Sequence, residues 1–126
     1  MSFPNCKFFA NLFKLIFIDK DEKLTSTLRY TLELYKKNKC LEEIAKIRGL
    51  TSEQIERHII ILITKSFIDV NDFVEKSKIE KILNNLNNEN IVSLKKIKES
   101  LSEDITYFEI KCVLADLNRR PITKNK

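Results

Sequence analysis

A chain of 126 residues, 43% apolar and 33% charged, is long enough for one domain with a proper core and is neither disordered nor fibrous in composition. One glycine and two prolines leave too few turn residues for a sheet-rich fold, so the composition predicts an all-α protein and excludes a Gly-rich phosphate loop. The net charge of +5, from 23 Lys and Arg against 18 Asp and Glu, suits a polyanionic partner, although lysine is also the common solubilising residue of Ile-, Lys- and Asn-rich sequences.

Residues 1–23, MSFPNCKFFANLFKLIFIDKDEK, open the chain. Phe9, Leu12, Phe13 and Ile16 fall at i, i+3, i+4 and i+7 and predict an amphipathic helix. Its other side carries Phe8, Leu15 and Phe17, more apolar than a solvated face, so the helix is expected to dock on the domain, on a second copy or on a partner, ahead of a membrane-surface role. Asn11 and Lys14 interrupt the apolar run, which is too short for a transmembrane span. The DKDEK that follows is no cleavage site for a signal peptide.

Residues 24–39 read as the first helix of the domain. Thr25 or Ser26 caps it, Leu28, Thr31, Leu32 and Tyr35 form its inner stripe, and KKNK closes it with charge that favours a helix C-terminus. The stretch LEEIAKIRGL followed by TSEQIERHIIILITK organises the rest. Leu41, Ile44 and Ala45 repeat at helical spacing, Gly49 stops that helix as a left-handed cap, and Thr51 with Gln54 forms a T-x-x-Q capping box that starts the next. Ile55, Ile59 and Leu62 continue the buried stripe, and the small Ala45 allows the two helices to cross closely. The pattern predicts a helix-turn-helix.

Residues 67–70 read as a short extended piece, the place for a rudimentary wing. Ile79, Ile82, Leu83 and Leu86 give another helical stripe, ended by NNLNNEN. A fainter copy of the corner follows. Leu94 and Ile97 repeat the step of Leu41 and Ile44, Ile105 takes the place of Leu50, and Thr106 with Glu109 is again a capping box, leading into Ile110, Val113, Leu114 and Leu117. Its corner, residues 101–104, has no glycine. The expected organisation is therefore an N-terminal helix over 1–23, a first module over 24–66, a second, degenerate module over 67–120, and a disordered tail over 121–126.

Charge follows these segments. Residues 24–66 carry eight basic and five acidic side chains, residues 67–92 three and five, and residues 93–126 eight and five. Two basic lobes thus flank an acidic middle. Cys6, Cys40 and Cys112 are odd in number and scattered, which predicts free thiols, no zinc site and a reducing compartment: the cytoplasm, the nucleoid, or an organelle with an AT-rich genome. His58 is the only histidine and is expected to be packed and hydrogen-bonded in place of acting as a general base. With no nucleophile or metal spacing, neither enzyme activity nor a cofactor is expected. The candidate nucleic-acid contacts are Lys46, Arg48, Thr51, Ser52 and Arg57 from the first module and Lys95, Lys96 and Lys98 from the second, serving the phosphate backbone. Glu53 and Glu56 share the outward face with Ile60 and disfavour sequence-specific reading of DNA.

Residues 26–117 resemble the helix-turn-helix domain found at the C-terminus of RecQ-type DNA helicases. The resemblance is carried by TLELYKKNKCLEEIAKIRGLTSEQIERHI, FIDVNDFV, SLKKIKESL and YFEIKCVLADL. It implies an accessory, DNA-associated module that partners a helicase, in a stand-alone chain or one derived from a longer helicase gene. No ATP-binding loop or motor motif is present, so helicase activity is not implied. The shorter core EIAKIRGLTSEQIERHI also looks like LuxR-type regulators, but the acidic middle and the second module do not continue that pattern. The alternative class is a helical protein–protein adaptor, working through Phe9, Leu12, Phe13 and Ile16.

Overall fold

Thr25 begins the first helix by accepting a hydrogen bond from the Leu28 N–H at 3.3 Å. The computed structural model describes residues 24–86 and 93–119; the expectations for residues 1–23, for the Asn-rich 87–92 and for the tail beyond 119 lie outside them. Six α-helices are present among the described residues: α1 Ser26–Lys36, α2 Leu41–Arg48, α3 Ser52–Thr64, α4 Lys76–Asn85, α5 Leu94–Glu99 and α6 Tyr107–Arg119. No helix among them is long and apolar enough to cross a membrane.

The helices of the first module end by one device. Gly49 adopts φ 67°, its N–H donates to the Lys46 carbonyl (3.3 Å) and the Leu50 N–H to the Ala45 carbonyl (3.0 Å), which is a Schellman cap. Asn38 ends α1 in the same way at φ 67°, with the Lys39 N–H on the Leu34 carbonyl. Ser66 ends α3 at φ 69°, with the Phe67 N–H on the Leu62 carbonyl at 2.9 Å. Asn38 thus stops α1 at Lys36, before the end of the basic run in which the sequence pattern closes it.

No strand occurs among the described residues, and the expected wing is absent. Ile68, Val70 and Val74 are buried, which draws residues 67–75 inward as a 3₁₀ turn, Val70–Asp72, packed against α6. Ile60 is a second correction: it is 6% exposed, not outward-facing. The second half of α3 is enclosed by α1, α2 and α6, with α6 its most extensive neighbour, so residues 59–64 are buried on every side. Packing decides this helix. Burying one Ile fully stabilises by about 1.5–3 kcal/mol, several times the few tenths that a β-branched residue costs in a helix.

The two modules therefore join through their third helices. Ile55, Ile59, Leu62 and Ile63 of α3 and Ile110, Val113, Leu114 and Leu117 of α6 all belong to one continuous core. An aromatic ladder supports the joint. Tyr35 stacks on Phe73 at 5.4 Å, and Phe73 meets Phe108 edge-on at 5.8 Å. The Tyr35 hydroxyl donates to the Asp72 carboxylate at 2.6 Å. Burial, then Asp72 itself, pushes the ionisation of that phenol well above its ordinary range.

Candidate nucleic-acid interface

The first corner is set by three residues, 49–51, between α2 and α3. The Gln54 N–H donates to Thr51 Oγ1 (3.1 Å) and the Thr51 N–H to Gln54 Oε1 (2.9 Å), completing the capping box. The start of α3 is left in solvent: Thr51, Ser52, Glu53, Gln54 and Arg57 are exposed and Glu56 is half-buried.

Arg48 fixes this corner to α1. Its Nη1 donates to the Thr27 carbonyl (2.7 Å) and to Thr31 Oγ1 (2.6 Å), its Nη2 donates to Thr27 Oγ1 (2.8 Å), and its guanidinium lies 4.7 Å from the Tyr30 ring centroid. The fully buried Thr31 hydroxyl, which accepts from Arg48, also lies within hydrogen-bond distance of His58 Nδ1, 2.8 Å away. Burial first, then the Arg48 and Arg57 charges, lowers the pKa of His58 below its ordinary 6.5 and holds the ring neutral.

The second corner is built differently. Seven residues, 100–106, separate α5 from α6, and a turn closes inside them with the Ile105 N–H on the Ser102 carbonyl at 3.1 Å. The capping box recurs, with the Glu109 N–H on Thr106 Oγ1 (3.1 Å) and the Thr106 N–H on Glu109 Oε1 (3.0 Å). Contacts from α4 hold it in place. Lys78 Nζ donates to the Asp104 carbonyl (3.1 Å) and pairs with Glu109 at 3.2 Å, while Asn85 Nδ2 donates to the Ser100 carbonyl. The Glu109 bond raises the pKa of Lys78 and the Ser102 hydroxyl lowers that of Asp104.

The candidate contacts fall into two groups. Lys46 is exposed on α2, and Ser52 and Arg57 are exposed on α3. Lys95 and Lys96 are exposed on α5, with Lys98 half-buried. Among the described residues the side chains of Lys46, Ser52, Arg57, Lys95 and Lys96 make no hydrogen bond or ion pair, which leaves their donors available. Thr51 is engaged in its cap and Arg48 on α1. The charge pattern also changes: residues 93–119 hold five basic and five acidic side chains, and the C-terminal excess sits on Arg120, Lys124 and Lys126, outside the described residues.

Helical spacing alone does not single out Tyr107, an aromatic ring 45% exposed at the first position of α6. The signal is its place directly after the cap Thr106, where Ser52 follows Thr51. Helical spacing puts Lys111 on the same face, one turn on.

A family model described as a helix-turn-helix domain matches residues 27–114. Searches of curated proteins and of solved structures give no significant match. The matched stretch is well over half of the chain and takes in both corners. The chain belongs to the helix-turn-helix domain family.

Proposed function

We propose that the chain is a non-enzymatic nucleic-acid-binding module of low sequence specificity, acting as an accessory of the helicase-associated type. One observation carries this reading. Each corner ends in a capped helix whose first residue, Ser52 or Tyr107, stands in solvent, and each module carries free basic side chains, Lys46 and Arg57 in the first and Lys95 and Lys96 in the second. A helix-turn-helix presents that part of its second helix to a nucleic acid. Low specificity follows from chemistry: lysine and arginine hold phosphates of any sequence, whereas the carboxylates of Glu53 and Glu56 oppose close approach.

A mobility-shift assay with single-stranded, duplex and forked DNA tests the reading. Binding that weakens steeply with salt, and equally for unrelated sequences, is the expected result. Absence of binding at low salt with all three probes overturns it and leaves the protein–protein adaptor.

A further inference from the structure

His58 sits where α1, α2 and α3 meet, with one ring nitrogen in the fold and the other out of it. Nδ1 lies 2.8 Å from the Thr31 hydroxyl, which itself accepts from Arg48 at 2.6 Å. Nε2 makes no hydrogen bond among the described residues and is not enclosed, so it opens to solvent. The charges acting on the ring are those of Arg48 from α2 and Arg57 from α3. Arg57 is exposed, and its guanidinium is not engaged among the described residues. From α1 come only hydroxyls, those of Thr27 and Thr31; Arg29 and Glu33 stand two residues from them, on the far side of that helix. Along α3, the row that reaches His58 runs through Thr51 and Gln54, both neutral. Glu56, two residues off that row, acts on Cys112 of α6. Glu53 shares the row of Arg57 without forming an ion pair with it.

We infer that His58 Nε2 and the Arg57 guanidinium hold one backbone phosphate of the bound nucleic acid, and that the chain takes up a proton on His58 as it binds. The inference rests on the proposed function and adds to it a phosphate ligand and a dependence on pH. In the free chain, burial and two neighbouring guanidiniums keep the ring neutral. A phosphate against Arg57 and Nε2 supplies the opposite charge that this cluster lacks, and so favours the imidazolium. The proton comes from solvent, and the phosphodiester keeps its charge throughout. Both ring nitrogens then donate, Nε2 to a phosphate oxygen and Nδ1 to Thr31. The Thr31 hydroxyl has two lone pairs and accepts from the ring and from Arg48 together. Arg48, tied to α1, does not reach the phosphate; it is a positioning residue that fixes Thr31 and hence the ring. Because linkage is reciprocal, nucleic acid that raises the pKa of His58 must bind more tightly as pH falls.

His58 is the only histidine of the chain, so its imidazole signals can be followed by NMR without ambiguity. The full chain is titrated between about pH 5 and 8, free and saturated with a short duplex DNA of arbitrary sequence. Salt of about 0.15 M confines the effect of distant phosphates to roughly 8 Å. The expected result is a pKa below 6.5 in the free chain and a rise of about one pH unit or more on the DNA. Fluorescence anisotropy over the same range should show affinity rising as pH falls, by at most about tenfold per pH unit. His58→Gln should abolish that dependence, with circular dichroism confirming that it folds; if it does not fold, the NMR titration of the parent decides. A His58 pKa that stays in place or falls on the DNA overturns the inference and leaves the proposed function standing. So does a pH dependence of binding that His58→Gln retains. A parent chain that binds no DNA at low salt overturns both.

Discussion

Two corners in one chain share a capping box and little else. The first is encoded locally: three residues, one glycine at φ 67° and two Schellman bonds determine how α3 leaves α2. The second takes seven residues and has no left-handed residue, and α4 reaches across with Lys78 and Asn85 to hold it. A tight turn needs a particular backbone, and a long one needs partners. The first corner should therefore fail through single positions in its own sequence, the second through side chains far away in the chain.

The largest test of that contrast is Gly49→Val. A Cβ at Gly49 meets nothing within 4 Å, so the cost is that of the left-handed backbone alone, about 1–2 kcal/mol and more for a β-branched side chain. Glu103→Ala, in the exposed turn of the second corner, should stay within about 0.5 kcal/mol. Denaturant unfolding of the two variants decides it, and equal losses would erase the distinction.

Next come the caps. Thr51→Ala should cost about 1 kcal/mol. Thr106→Ala should cost less, because Lys78 still fixes Glu109 at the start of α6. Combining Thr106→Ala with Lys78→Met should lower the melting temperature by more than the sum of the single changes. A smaller gain is expected at the end of α3. Ser66 sits at φ 69°, and Ser66→Gly should stabilise by about 0.5–1 kcal/mol in thermal unfolding.

The smallest effect is a pH dependence confined to the first corner. The folded chain holds His58 neutral, with its pKa below the ordinary 6.5, so the unfolded chain binds more protons near that pH. Stability should fall as pH is lowered through about 6.5, and the loss should stop growing below the folded value. His58→Gln should flatten that part of the pH profile of unfolding.

Much of the fold is legible in spacing because its signals are local. Thr51 with Gln54, Thr106 with Glu109, and Gly49 act within three or four residues of themselves, and the inner stripes of α3 and α6 follow the helical period. What spacing misses depends on the second module covering the first. Ile60 reads as outward until α6 and its neighbours close over it, and residues 67–70 read as a wing until Ile68 and Val70 find a core beneath them. Arg48 illustrates the same limit at the candidate site. Its position suggests a phosphate ligand, but Thr27, Thr31 and Tyr30 lie one helix earlier in the sequence and beside it in the fold. Asn38 and Ser66 show that left-handed caps need not be glycine, so composition undercounts them.

The enclosure of α3 also sets the length of any footprint. Its exposed positions end at Arg57, before burial closes around the helix from Ile59; from Thr51 to Arg57, at a rise of about 1.5 Å per residue, they extend roughly 9 Å along a groove. With base pairs stacked about 3.4 Å apart, that is room for two or three steps. On α6 the solvent-exposed start is shorter still, with Tyr107 exposed and Phe108 and Glu109 drawn in. A reader with so short a reach holds too few letters to pick one address in a genome. Its occupancy would be governed by what tethers it and by how many copies sit side by side.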